Sequence, residues 1–369
     1  MKLSISKEQI INGLQAVQNI VTTRTTLPIL SNVLLKAEGT KLHLTATDLD
    51  VTVSCAVEAT VMEPGATTLP VKKLFGIVRE LSAQDLEIDV DEKQVASLRS
   101  GPSYYKIHGI AAEEFPPQPQ FAENKRVAVP QDKLRSMLRK TSFAISLDET
   151  RFVLNGIFFS FKEQKLTMVA TDGRRLALVE EEVELASGGE GEIIVPTKAI
   201  NELNRLLQTS GEAELRFTEN QVAFNLQAAP GQGVLIISKL VEGNYPNYRQ
   251  VIPPETKERV PLAREELLHA LKRAEIMTSE KSNSVRLSFA KNNVTITANT
   301  PEVGEAREAM AINYKGREMA IAFNPTYLMD PLKALDNDEV YLELIDELSP
   351  GVLKVNGPFL YVLMPMRMS

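Results

Sequence analysis

Carboxylates are the first residues in this chain whose type and spacing could do chemistry. Asp48 and Asp50 stand two apart, and Asp172 closes a second copy of the phrase that Asp48 closes. Such a carboxylate set can hold a divalent cation and activate water, which makes a hydrolase the reading to test first. A third copy argues against it. Leu-His-Leu-Thr-Ala-Thr-Asp at 42–48 and Leu-Thr-Met-Val-Ala-Thr-Asp at 166–172 recur as Val-Thr-Ile-Thr-Ala-Asn-Thr at 294–300, where Asn299-Thr300 replaces Thr-Asp. Asp and Asn are also what a turn selects for its own backbone hydrogen bonds. The other candidates are thinner. His43, His108 and His269 lie on unrelated segments, without the spacing of a metalloprotease helix, and no nucleophile elbow or glycine-rich phosphate loop is present. Cys55, the one cysteine, ends an alternating run and reads as a buried thiol. The sequence therefore predicts no catalytic residue, no metal site and no cofactor.

What remains is charge. The chain has 369 residues and a net charge of −7, yet its predicted helices lean the other way. Helices are read at 7–18, 71–81, 131–140, 197–207, 264–275 and 325–335. Together these stretches carry +6, leaving −13 for the rest. In the second, Leu74, Phe75, Val78 and Leu81 share a face at 100° per residue while Lys72 and Arg79 fall opposite. Lys198 and Arg205 take the same repeat positions in the fourth, and Lys333 does so in the sixth. Arg139-Lys140 and Lys272-Arg273 match in the third and fifth. A basic face recurring on an acidic body is the electrostatic footprint of a polyanion. No helix-turn-helix, zinc-finger or RNP pattern accompanies it, so phosphate contact without base readout is expected.

The elements that must position these cations follow from the repeat. The turn aspartates and their third equivalent are spaced by 124 and 128 residues, each about a third of the chain. Each third opens with a short strand and a helix, passes through the Thr-Asp hairpin, then gives a second strand, helix and closing strands. Pro70, Pro196 and Asn324 hold matching positions ahead of the second helix. Prolines at 116, 117 and 119 and at 253–254 mark the linkers, which sets domains at 1–121, 122–252 and 253–369. The fold class is α+β, with helices on one face of antiparallel sheets. No apolar run reaches the roughly 20 residues of a membrane span, and a single cysteine fits a reducing cytoplasm.

The triplication, Thr25-Thr26-Leu27-Pro28-Ile29-Leu30, Val169-Ala170-Thr171-Asp172-Gly173, Ser238-Lys239-Leu240-Val241 with Tyr245-Pro246, and Val362-Leu363-Met364-Pro365-Met366-Arg367 together resemble the bacterial sliding clamps, the beta subunits of DNA polymerase III. The resemblance spans the whole chain. It implies three repeated clamp domains with sheets outside and helices lining a ring, closed by a head-to-tail homodimer around duplex DNA. Twelve helices at roughly 8–10 Å spacing would leave a bore of about 25 Å, wide enough for a duplex. The implied partners are the polymerase III catalytic subunit, a clamp loader, and other polymerases and repair proteins bearing short clamp-binding peptides. None is a membrane.

For the peptide pocket the resemblance implies Leu154, Thr171, Gly173, Arg174, Arg175 and Leu176, with Pro246 and Val251. Asn324, Tyr327, Val362, Leu363, Met364, Pro365, Met366 and Arg367 complete it. Arg24 joins the helix cations as a DNA contact. At the dimer seam, Tyr105 and Ile107 of an edge strand would pack near Ile276 and Met277. Glu302, Glu305 and Glu308 would there face Lys73 and Arg99. Three departures stand out: Arg174 where many relatives have His, Gln250 where several have a basic residue, and Phe152-Val153 where two tyrosines are common. A repeat scaffold that binds only protein is the rival outside enzymology.

Overall fold

The computed structural model describes residues 1–21, 27–119, 125–185, 189–229, 232–279, 283–301 and 304–367, with side chains left out at 228, 229 and 232. Six α-helices are present among them: α1 (Lys7–Val17), α2 (Val71–Glu80), α3 (Gln131–Thr141), α4 (Thr197–Leu206), α5 (Arg264–Glu275) and α6 (Pro325–Ala334). Their starts follow local chemistry. Ser6 caps α1 by accepting from the Gln9 N–H, Asn324 caps α6 through the Tyr327 N–H, and α2 begins after Pro70. Four ends, those of α1, α2, α4 and α6, fall one residue earlier than the sequence predicts. Leu81 and Leu335 are buried, yet their backbones are already extended. Burial counts them with the helix; hydrogen bonding does not.

The strands form four sheets, every pairing antiparallel. Two compact units contain them. The first (Met1–Arg135, Glu184–Gly189, Lys198–Leu240) holds a five-stranded and a nine-stranded sheet, and the second (Ser136–Val183, Glu190–Thr197, Val241–Ser369) an eight-stranded and a four-stranded one. In the first, α1 lies against α2 and against strand Val51–Glu58; in the second, α5 lies against α6 and strands Asn293–Thr300 and Gly304–Ala311.

The two larger sheets cross the boundaries between repeats. Strand Val51–Glu58 of the first third pairs with Gln232–Lys239 of the middle third, Cys55 opposite Val234 and Val51 opposite Ser238. Strand Arg175–Glu182 of the middle third pairs with Phe359–Leu363 of the last, Arg175 opposite Leu363. Each junction is thus a main-chain ladder five residues long, which pairs N–H and C=O groups that a strand edge would otherwise leave open. One face of the second junction is apolar: Phe158, Val169, Leu176, Ile194, Tyr248 and Val362 form one buried cluster, and Tyr245 stacks on Phe158 with ring centroids 4.9 Å apart.

Candidate nucleic-acid interface and partner pocket

The helix cations are less free than their spacing suggests. Lys72 and Arg79 are exposed on α2, opposite buried Val71, Leu74 and Val78, and Arg79 pairs with the neighbouring Glu80. Lys198 on α4 is ion-paired with Asp48. Arg205 donates from Nε to Glu202 at 3.0 Å, and its two terminal nitrogens reach the Gln15 and Ala16 carbonyls at 2.8 and 2.6 Å. Those carbonyls end α1, where a cation complements the helix dipole. Arg139 is bonded to Asp336, whose carboxyl is thereby held below its ordinary range. Lys140 lies half-buried beside it in the last turn of α3. On α5, Lys272 is exposed with no ion pair among the described residues, whereas Arg273 reaches the Glu308 carboxylate at 2.6 Å. Lys333 lies 3.7 Å from Asp330. Arg24 falls outside the described residues. The sequence reads charge by helix face; the structure shows that several of these charges also hold neighbouring elements together.

The carboxylates weighed for hydrolysis are committed as well. Asp48 Oδ1 accepts from the Asp50 and Val51 N–H groups at 3.1 and 2.8 Å while its other oxygen takes Lys198. Asp172 repeats this with Arg174 and Arg175 at 2.9 and 3.1 Å. These are turn-stabilising Asx interactions. At the turn's next position Gly173 has φ +85°, and Leu49, its equivalent, takes φ +78°. Burial pushes the Cys55 thiol up to about 12, which leaves no thiolate for attack. Among the described residues no three His, Cys, Asp or Glu converge as a metal site needs.

The seam candidates occupy two open sheet edges. Tyr105 and Ile107 lie on strand Ser103–His108, the last strand of the five-stranded sheet, and Glu305 lies on Gly304–Ala311, the first of the four-stranded one. Arg99 sits over the Tyr104 ring at 5.7 Å. Lys73 and Ile276 are exposed, and the Met277 methyl lies against Gly304. Glu308 is bonded to Arg273 of its own chain, because α5 packs on that strand. Glu302 lies outside the described residues.

The pocket candidates all fall in the second unit and meet at the second junction. Arg175 is its hub. Its guanidinium reaches Asp172 at 3.0 Å, Asp330 at 2.6 Å and the Phe143 carbonyl at 2.6 Å, and lies 4.3 Å from the Tyr327 ring centroid. The Tyr361 hydroxyl donates to the Tyr327 carbonyl, tying α6 to the final strand. Thr171 Oγ1 closes the hairpin by donating to the Arg175 carbonyl and accepting from Gly173 N–H. Beyond the strand, Met364 N–H donates to the Arg174 carbonyl and Met366 N–H to the Ala322 carbonyl.

Leu176, Val362 and Leu363 are buried in the sheet and Leu154 in the segment Glu149–Leu154 that precedes it, while the charged hub Arg175 lies opposite Leu363. The exposed rim is Met364 (43%), Met366 (38%), Val251, Pro246, Arg174 and Arg367, with half-buried Pro365, Asn324 and Tyr327. Methionines this exposed are not core filler. Sequence reasoning missed Leu348, 82% exposed at the tip of the loop joining strands Glu339–Leu344 and Gly351–Lys354. That loop opens at the end of the sheet where Gly351 pairs with Leu363, next to Met364. A large apolar residue in the acidic stretch Asp346-Glu347-Leu348 was the available signal.

Three copies of one strand–helix–hairpin unit, joined through shared sheets, define a clamp-type fold. Comparison with known families agrees along the length. The DNA polymerase III beta subunit N-terminal domain matches residues 1–119, the central domain 128–247 and the C-terminal domain 249–367. The beta sliding clamp of Chlamydia pneumoniae is 36% identical over 368 residues, covering 100% of this chain and 99% of its own. That of Proteus mirabilis is 36% identical over 372 residues, covering both chains fully. The solved DNA polymerase III subunit beta from Pseudomonas aeruginosa superposes with a TM-score of 0.94 at 34% identity, with 100% of each chain covered. The chain belongs to the DNA polymerase III beta subunit family, the beta sliding clamps. Its role is that of a processivity factor with no chemistry of its own.

The hub gives a direct prediction. Arg175→Met removes the cation from two carboxylates that are each mostly buried. Chemical denaturation should show a loss of about 3–5 kcal/mol in the transition that reports this unit. A loss under about 1 kcal/mol would mean that Asp172 and Asp330 are adequately solvated without it.

Proposed function

We propose that two copies join head to tail in a ring that encircles duplex DNA and tethers polymerases through the pocket at the second junction. The observation that carries this reading is an imbalance of strand edges. In each repeat one sheet edge corresponds to Val51–Glu58 and Arg175–Glu182, and another to Gln232–Lys239 and Phe359–Leu363; the two junctions consume two of each kind. One of each kind is left over: Gly304–Ala311 and Ser103–His108. Open edges of this sort pair unless they are blocked. Since the two edges differ, the contact between copies is heterologous, and two such contacts close a ring.

Lys72, Arg79, Lys140 and Lys272 supply its DNA-facing charge, with the ion-paired cations contributing a field more than direct contacts. The duplex is retained by enclosure, so water separates cation from phosphate and direct affinity is low and salt-sensitive. A loader must open the seam, and the assembly works in the cytoplasm. A clamp loaded on a nicked circle should survive moderate salt and escape when the circle is cut. Retention after linearisation would overturn topological linkage.

The pocket takes a short, mostly apolar peptide carried by the polymerase III catalytic subunit and by other DNA enzymes. Flexible, polarisable Met364 and Met366 let related partners share it. Leu348 adds a second apolar wall. Met364 and Met366 are held by main-chain bonds to Arg174 and Ala322 and their side chains are exposed, so deleting residues 364–369 should abolish peptide capture while leaving dimer mass and melting temperature nearly unchanged. Normal peptide binding by the truncated chain would place the pocket elsewhere.

A further inference from the structure

The cross-strand registers allow the unpaired edges to be aligned residue by residue, and this rests on the pairing of two copies proposed above. Begin at the middle residue of each opening strand and step across the ladder. In the first third the row is Ser4, Glu87, Arg99, Tyr104. In the middle third it is Ala128, Glu214, Asn225, Leu235, and in the last Pro261, Tyr341, Lys354, Leu360. From the other side the rows are Thr68, Leu34, Thr45, Ser54; then Ile194, Phe158, Val169, Leu178; then Ala322, Arg286, Thr297, Arg307.

The two junctions join these rows at the same rung. Leu235 stands opposite Ser54, and Leu360 stands opposite Leu178. The one remaining pair of row ends is Tyr104 and Arg307. We infer that at the seam Tyr104 of one copy lies opposite Arg307 of the other, its ring held between that guanidinium and its own Arg99. The side chains suit this. Arg99 already covers the Tyr104 ring from one neighbouring strand at 5.7 Å. Tyr104 is 51% exposed and lies on the last strand of its sheet. Arg307 is exposed and has no ion pair among the described residues. Directly opposed residues on antiparallel strands place their Cβ atoms about 5 Å apart, within reach of a stack.

The neighbouring rungs support the same register. Lys106 falls opposite Glu305, placing opposite charges together. On the other face Tyr105 falls opposite Ala306 and Ile107 opposite Gly304, so each bulky side chain meets a small one. A register shifted by one residue would put Lys106 against Ala306 and turn the apolar pair outward. The corresponding rung at the second junction is Leu178 with Leu360, packed against the apolar cluster. At the seam the rung becomes Arg–Tyr–Arg, a contact that stabilises association without leaving an apolar patch on the separated chain.

A double-mutant cycle on the dimer tests this, with dissociation followed by sedimentation over a dilution series. Tyr104→Leu keeps apolar bulk and removes the aromatic face; Arg307→Gln removes the cation. Each should weaken the dimer, and the double variant should fall short of the summed effect by about two- to fivefold, the size of a surface cation–π contact. Tyr104→Phe should leave dissociation unchanged within about twofold, since the ring and not the hydroxyl makes the stack. Both positions are exposed, and circular dichroism should show the fold intact. A wild-type dimer in which the two substitutions combine additively overturns the sandwich alone. A wild-type chain that stays monomeric at micromolar concentration overturns the pairing beneath it.

Discussion

The main-chain ladder across each repeat boundary is the interaction on which the rest depends. A strand edge left in water is tolerable; one left in a partly buried junction is not, because each unpaired N–H or C=O there costs a lost hydrogen bond. Strand Val51–Glu58 finds Gln232–Lys239, and Arg175–Glu182 finds Phe359–Leu363. Through these ladders the repeat boundary becomes the interior of a sheet. The same requirement explains why the middle third is divided between the two compact units: its two sheet halves belong to different larger sheets.

Function follows from where these ladders end. The last strand of the second ladder delivers Met364 and Met366 to the end of the sheet beside the Thr171–Gly173 turn, so an exposed methionine rim arises at a junction instead of in a domain's centre. Arg175 then ties the turn, α6 and the Phe143 segment into one rigid body. Its partner Asp330 also lies near Lys333, which links the pocket's frame to a helix of the basic set. In the first unit Arg205 and Lys198 do comparable work, joining α4 to the end of α1 and to the Asp48 turn. Charge that marks a polyanion partner also holds the repeats together.

Much of this was legible in the sequence because it repeats. The hairpin aspartates, the Pro70, Pro196 and Asn324 positions and the helix starts fixed the triplicated α+β organisation, and the family resemblance supplied the clamp fold. Sheet continuity was not legible. Residues such as Cys55 and Val234 pair at a separation of about 180 positions, and local periodicity carries no information at that range. Charge pairing was hidden for the same reason: helical spacing puts Lys198 and Arg205 on one face but says nothing of Asp48 or the Ala16 carbonyl arriving there. Glu308 is a further case, since its pairing with Arg273 joins α5 to strand Gly304–Ala311. Leu348 went unnoticed because a lone leucine in an acidic loop has no period at all.

Amide hydrogen exchange reads edge pairing most directly, because it reports main-chain hydrogen bonds strand by strand. At concentrations where the protein is dimeric, strands Ser103–His108 and Gly304–Ala311 should be protected in the alternating pattern seen at the interior junction of Val51–Glu58 with Gln232–Lys239. On dilution to the monomer only these two strands should lose protection, while the junction strands keep theirs. Fast exchange in both edge strands of a protein shown to be dimeric would contradict the ladder across the seam, and with it the closure of the ring by strand pairing.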